Sequence, residues 1–174
     1  MEIRSIETII RALNSEEVRY IIVGGLAVNA HGYERFTRDL DLVIGLENDN
    51  ILRGLRALLG IGYVPSIPVT PEEFAEPGNR EMWRRDKNML VLKLWSDVHR
   101  RTPIDVFVYE PFDFKTEYEM AERLEIASGL VAPFVTCESL LAMKRLAARP
   151  QDLADIAALE EARKISESGT DEPS

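Results

Sequence analysis

The chain is poor in the residues that anchor several common chemistries. A single cysteine, Cys137, among 174 residues excludes an internal disulfide. Its expected place is a small, buried or half-buried side chain near a helix start. There are only two histidines, His31 and His99, set far apart, and each reads as a surface or turn residue. No apolar run approaches the roughly 20 residues that span a bilayer. The first residues, MEIRSIETIIRAL, carry charge throughout and lack the apolar block of a signal peptide. The expected location is therefore the cytoplasm, away from membranes. Basic residues are outnumbered, with 21 Lys and Arg against 30 Asp and Glu and a net charge of −9. Such a balance disfavours duplex binding, and no sequence-specific DNA recognition is expected. It suits a divalent cation or a basic partner. Also missing are the GxGxxG spacing of a dinucleotide loop, the Walker phosphate loop, and HExxH, CxxC and GxSxG patterns.

What is present reads as alternating helices and strands. IRSIETIIRAL repeats apolar residues at helical spacing. RYIIVGG is a short β-branched run that ends in glycines, a buried-strand signal. LAVNAHG predicts one or two helical turns closed by Gly32. DLDLVIG predicts a second strand, and ENDNILRGLRALLGIG a helix capped by Asn or Asp. YVPSIPVTPEEFAEPGNR, rich in Pro and Gly, predicts loop with at most an edge strand. NMLVLKLW and PIDVFVY predict two more strands. RLEIASGLVAPFV predicts a peripheral hairpin, and ESLLAMKRLAA and PQDLADIAALEEARK predict two helices. Trp83 and Trp95 read as packing residues, and NREMWRRDK as a solvated loop or strand edge with a small cationic patch. The order predicts an α/β (α+β) fold, a mixed sheet flanked by helices, with further helices at the C-terminus. One domain is expected over 1–164, its core about 18–110 and its helical part about 137–164, followed by a disordered tail over 165–174.

The residues that do not suit their elements are Asp39 and Asp41. Asp is a poor strand former, and residues two apart on a strand share a face. Two neighbouring, half-buried carboxylates resist ionising together, and a divalent cation removes that cost. A third carboxylate, Asp105, interrupts the apolar run of PIDVFVY. It caps a turn, or its strand lies beside the first pair and three carboxylates converge. Convergence would make the ligand set of a phosphoryl-transfer site, with Asp105 on the acceptor side and able to help deprotonate a hydroxyl. Gly24 and Gly25 form a tight turn, or leave backbone N–H groups bare for a phosphate before a short helix.

This arrangement of GG after a strand, DxD on the next and a later single Asp resembles the nucleotidyltransferase superfamily with the DNA polymerase β-like fold. VGGLAVNAHGYERFTRDLDLVI is similar to the AbiEii-type minimal nucleotidyltransferases, whose R-x-T-x-D-[IL]-D motif is matched by Arg35, Thr37, Asp39, Leu40 and Asp41. The C-terminal helices resemble the same group through Lys144, Arg149, Asp152 and Asp155. The resemblance spans roughly Tyr20 to Leu159. It implies transfer of a nucleoside monophosphate from an NTP, ATP among them, to a hydroxyl on an RNA (tRNA above all) or a protein, with Mg²⁺ or Mn²⁺ bound by Asp39, Asp41 and Asp105. It implies Lys144 as a cation meeting the triphosphate, and Asp152 or Asp155 as a site residue or an orienter of Lys144. Arg35 and Thr37 would bond phosphate or cap the turn before the strand. Lys144 as a surface lysine and Asp152 as a helix-start charge stand as alternatives. The group includes toxins of toxin–antitoxin systems, so an antitoxin partner is implied. Leu26 departs from the Ser that many polymerase β-like enzymes carry after the glycines. A protein that keeps the fold but only binds nucleotide or a partner is the competing reading, and a dinucleotide binder a weaker third.

Overall fold

The computed structural model describes residues 1–168. In chain order the elements are α1 (Ile3–Ser15), β1 (Tyr20–Val23), α2 (Gly24–Ala30), β2 (Leu40–Ile44), α3 (Asn48–Gly60), β3 (Tyr63–Pro65), α4 (Pro71–Ala75) and α5 (Pro77–Lys87). They continue with β4 (Val91–Ser96), β5 (Ile104–Phe107), α6 (Phe114–Met120), β6 (Glu122–Ala127), β7 (Leu130–Phe134), α7 (Cys137–Ala147) and α8 (Pro150–Ser168). The strands form one mixed sheet in the order β3-β4-β5-β2-β1-β7-β6. β2 runs parallel to β5, β1 runs parallel to β7, and the other neighbours are antiparallel.

The sheet sorts its residues by alternation. Leu40, Ile104 and Leu94 lie in one cross-strand row, and Leu42, Val106 and Leu92 in the next. All six are buried. Removing each such side chain from water contributes about 1.5–3 kcal/mol. Ile44, two residues beyond Leu42, meets α3 where Gly54 lets the helix come close. The residues between these rows project the other way, and Asp41 and Asp105 are among them.

The sequence pattern misplaces several elements. Residues 71–87, expected as loop, are the helices α4 and α5. Thr70 accepts from Glu73 N–H while the Glu73 carboxylate accepts from Thr70 N–H, and Pro71 and Pro77 sit at helix starts, where proline costs nothing. NREMWRRDK is accordingly helical, with Arg80 and Trp83 buried. α3 has no Asn or Asp cap; Glu47 precedes it without a side-chain cap bond. The β6–β7 hairpin is peripheral only in β6, since β7 pairs with the central β1. Trp95 is exposed rather than packed. α6, with no apolar periodicity long enough to announce it, is capped by Asp113, whose carboxylate accepts from Thr116 N–H. α8 continues to Ser168, into the expected tail, and residues 169–174 lie outside the described residues. Among the described residues, no helix is long and apolar enough to cross a membrane.

Candidate active site

Register builds the site. Asp41 on β2 lies directly opposite Asp105 on β5, and Asp105 lies opposite Lys93 on β4. Facing residues on neighbouring strands point to the same side, so these three side chains form one row. Asp39 stands one residue before β2 rather than within it. The extended segment leading into β2 keeps the two-residue alternation nonetheless. Glu34, Phe36 and Arg38 are exposed, while Arg35, Thr37 and Asp39 turn inward. The spacing R-x-T-x-D-x-D is thus one face of a single extended chain. The Asn29 side chain on α2 fastens that chain, donating to Arg35 O at 3.0 Å and accepting from Arg35 N–H at 3.1 Å.

Gly24 and Gly25 make room for this face. A Cβ on Gly24 would lie 2.0 Å from Asp41 Oδ2, and one on Gly25 would lie 2.4 Å from Thr37 Oγ1. Gly24 also holds φ +65°, the left-handed region that L side chains avoid. The Gly25 N–H donates to the Asp41 carboxylate. The observed work of the glycine pair is to admit Asp41 and Thr37 beside the backbone. Gly24→Ala is expected to lower the thermal midpoint by at least roughly 3 °C, because the backbone strain alone costs about 1–2 kcal/mol. A melting curve superimposable on the wild type would contradict this close approach.

The carboxylates are held against their charge. Burial, then Asp105 and Asp39, push the Asp41 carboxyl up to about 7, against the pull of Gly25 N–H and Lys144. Burial likewise raises Asp105, with Lys93 opposing and Asp39 adding to it. Lys93 Nζ stands 3.2 Å from Asp105 Oδ1 and 3.9 Å from Asp39 Oδ2. Asp105 Oδ1 is buried and takes no aligned hydrogen bond. Burial works against the Lys93 ammonium, but Asp105, Asp39 and Asp41 together outweigh it and raise its pKa.

A second cluster closes the site from the C-terminal helices. Lys144 on α7 is buried, so it is not a surface lysine, and it donates to Asp155 Oδ2 at 2.6 Å and Asp152 Oδ1 at 3.3 Å. Asp152 also accepts from Arg149 Nε at 2.7 Å. Asp155 takes Arg35, whose Nη2 lies 3.0 Å and Nε 2.8 Å from its oxygens, and Gln151 Nε2 at 2.9 Å. Burial of Asp152 is outweighed by Arg149 and Lys144, and burial of Asp155 by Lys144 and Gln151, so both carboxyls fall below the usual range. Arg35 and Asp152 are therefore engaged within the protein, and Asp155 is the centre of the cluster. Its link to the carboxylate row runs through Arg35, packed beside Gly25, and through the Lys144 charge felt at Asp41.

The donor set suits a hard divalent cation, since it consists of carboxylate oxygens whose ionisation is disfavoured without one. As they stand, no three His, Cys, Asp or Glu side chains among the described residues close into a cage for an ion. Lys93 reaches in among them instead. The sequence holds one faint signal for Lys93, a polar residue in the apolar run of NMLVLKLW, and none for Asn29. His31 and His99 are structural: His31 Nε2 is 2.7 Å from Val135 O, and His99 stacks on Tyr63 with its Nδ1 3.0 Å from Ser5 Oγ. Cys137 is half-buried at the start of α7.

Comparison with known proteins points the same way. The family model described as nucleotidyl transferase AbiEii toxin, type IV TA system, matches residues 9–171. No curated protein matches. A solved structure, that of an antigenic nucleotidyltransferase-like protein from Paracoccidioides brasiliensis, matches with a TM-score of 0.52 and 20% identity, over 91% of this chain and 75% of that one. At that identity the likeness concerns the fold.

Proposed function

The chain belongs to the AbiEii family of nucleotidyl transferase toxins of type IV toxin–antitoxin systems, and from that premise we propose that it transfers a nucleoside monophosphate from an NTP to a hydroxyl acceptor with the help of a divalent cation. The observation that carries the reading is the register of Asp41 against Asp105 on parallel strands, with Asp39 on the same inward face. The acceptor oxygen attacks the α-phosphorus, the α–β anhydride bond breaks, and pyrophosphate leaves. The hydroxyl proton passes to Asp105, whose carboxyl is lifted above its ordinary value by burial. Mg²⁺ or Mn²⁺, held by Asp39, Asp41 and Asp105, would supply the Lewis acid that offsets charge on the phosphoryl oxygens. The Gly24–Gly25 start of α2 and Thr37 border the space for the triphosphate. Lys144, fixed by Asp155 and Asp152, sets a positive charge near Asp41 against it. RNA or protein serves as acceptor, and the family's toxin–antitoxin character supports a cognate antitoxin that restrains the enzyme.

The test follows label from NTPs carrying ³²P at the α or the γ position, with bulk RNA and bulk protein as acceptors. Only α-label should enter the acceptor, the γ-label should leave in pyrophosphate, and Asp105→Asn should slow transfer about 10²-fold or more. Transfer of γ-label, or an Asp105→Asn rate equal to the wild type, would overturn the assignment.

A further inference from the structure

Lys93 has no place in the transfer step, yet it is the most intimate neighbour of the carboxylates. It sits on β4 opposite Asp105, which sits opposite Asp41, so one cross-strand row reads lysine, aspartate, aspartate. Its side chain is 48% exposed while that of Asp105 is 14% exposed. The ammonium therefore comes in from the solvent side to reach a buried carboxylate. From there it stands within ion-pair distance of Asp105 and Asp39 at once. Among the described residues, no other cationic side chain pairs with Asp105 Oδ1, which takes no aligned hydrogen bond. The neighbours of Lys93 on β4, Leu92 and Leu94, are core residues facing the opposite way, so packing does not ask for a lysine here.

We propose that Lys93 is a resident counter-cation that competes with a divalent ion for Asp39 and Asp105, and so sets how tightly the site takes metal. The proposal rests on the reading of Asp39, Asp41 and Asp105 as metal ligands. In the resting protein one positive charge on a flexible stem offsets part of the row's negative charge. A divalent ion entering the row must displace that ammonium, and the ammonium swings back to solvent when it does. The long, half-exposed side chain makes the exchange mechanically simple, because no backbone has to move. The competition leaves the site weak for free metal, and ion binding is then favoured when a triphosphate brings its own oxygens.

The experiment is a Mn²⁺ titration of the full chain without nucleotide, read from the free-ion EPR signal. Lys93→Met removes the charge and keeps the stem, and Lys93→Arg keeps the charge. Lys93→Met should bind Mn²⁺ about threefold to fivefold more tightly than the wild type, which is the upper scale of one half-exposed charge pair, and Lys93→Arg should stay within about twofold. A melting transition in EDTA confirms that each variant is folded, and the upward shift that Mn²⁺ gives should be larger for Lys93→Met. Equal or weaker Mn²⁺ binding by Lys93→Met would overturn the role of Lys93 and leave the ligand assignment standing. No binding by any of the three, with Asp41→Asn behaving the same way, would overturn the ligand assignment and the inference with it.

Discussion

Replacing Asp41 by asparagine should cut nucleotidyl transfer by about 10²–10³-fold or more while making the metal-free protein more stable. The two effects have one cause. Asp41 is buried, faces Asp105 and lies near Asp39, so its ionised form is costly in the folded chain. Its folded pKa of about 7 stands above the ordinary value of 3.8. In the window between those values the folded state holds a proton that the unfolded state has lost. Stability therefore falls as pH rises from about 4 to 7 and stays low above it, with a full cost of about 4 kcal/mol for a shift of this size. Asparagine keeps the shape and carries no charge, so Asp41→Asn should lack this fall. Urea unfolding at pH 4.5 and pH 8 in EDTA measures the difference directly. Saturating Mn²⁺ should recover the wild type at pH 8 and do little for the variant. Parallel pH profiles for the two proteins would mean that the carboxylate row carries no stored electrostatic cost.

Such a cost is also what made the site legible. Asp41 and Asp105 stand out because each interrupts an apolar run, where a chain keeps a charge only against its own stability, and Asp39 stands out because it lies two residues from Asp41. The strands β1, β2 and β5 were readable for the complementary reason, since their β-branched runs are short and bounded by Gly, Asp and Pro. Sequence could pose the register that brings Asp41 opposite Asp105 but could not select it, because strand pairing is a long-range choice. Lys93 was hidden by its ordinariness. A single lysine on the outward face of a strand looks like any solvated residue until the neighbouring strands are in place. α4 and α5 were hidden by proline and glycine, which break helices in their interiors but start them at the first turn. The capping pair Thr70 and Glu73 was the available signal, and it outweighs the loop-like composition. Asp155 stood three residues from Asp152 with nothing in the sequence to rank them. Only the packing of α8 against α7 shows that Asp155 receives Lys144, Arg35 and Gln151 together.

Lys144→Met should be the most destabilising single change at this site, by about 3 kcal/mol, or roughly 6–12 °C in thermal midpoint. The variant leaves Asp155 fully buried with Arg35 and Gln151 as partners and strips Asp152 of its companion on α7. Its pH signature is opposite to that of Asp41. Asp152 and Asp155 have lowered pKa values in the folded chain. The stability they contribute is present above about pH 4, their unfolded value, and is lost as pH falls through the folded one. The deficit of Lys144→Met against the wild type should therefore be large at pH 7 and shrink in acid. The two clusters are also coupled, since Lys144 pulls the Asp41 carboxyl down toward its charged form. Without Lys144 the cost of ionising Asp41 grows, so part of the neutral-pH deficit belongs to Asp41. Lys144→Met should then cost less in the Asp41→Asn background, by about 0.5–1 kcal/mol, in a double-mutant cycle of urea unfolding at pH 7.5. Strict additivity would separate the clusters electrostatically, and Lys144 would then act only as a brace between α7 and α8. A positive coupling makes it the charge that keeps Asp41 close to ionisation at the pH where the carboxylate is needed.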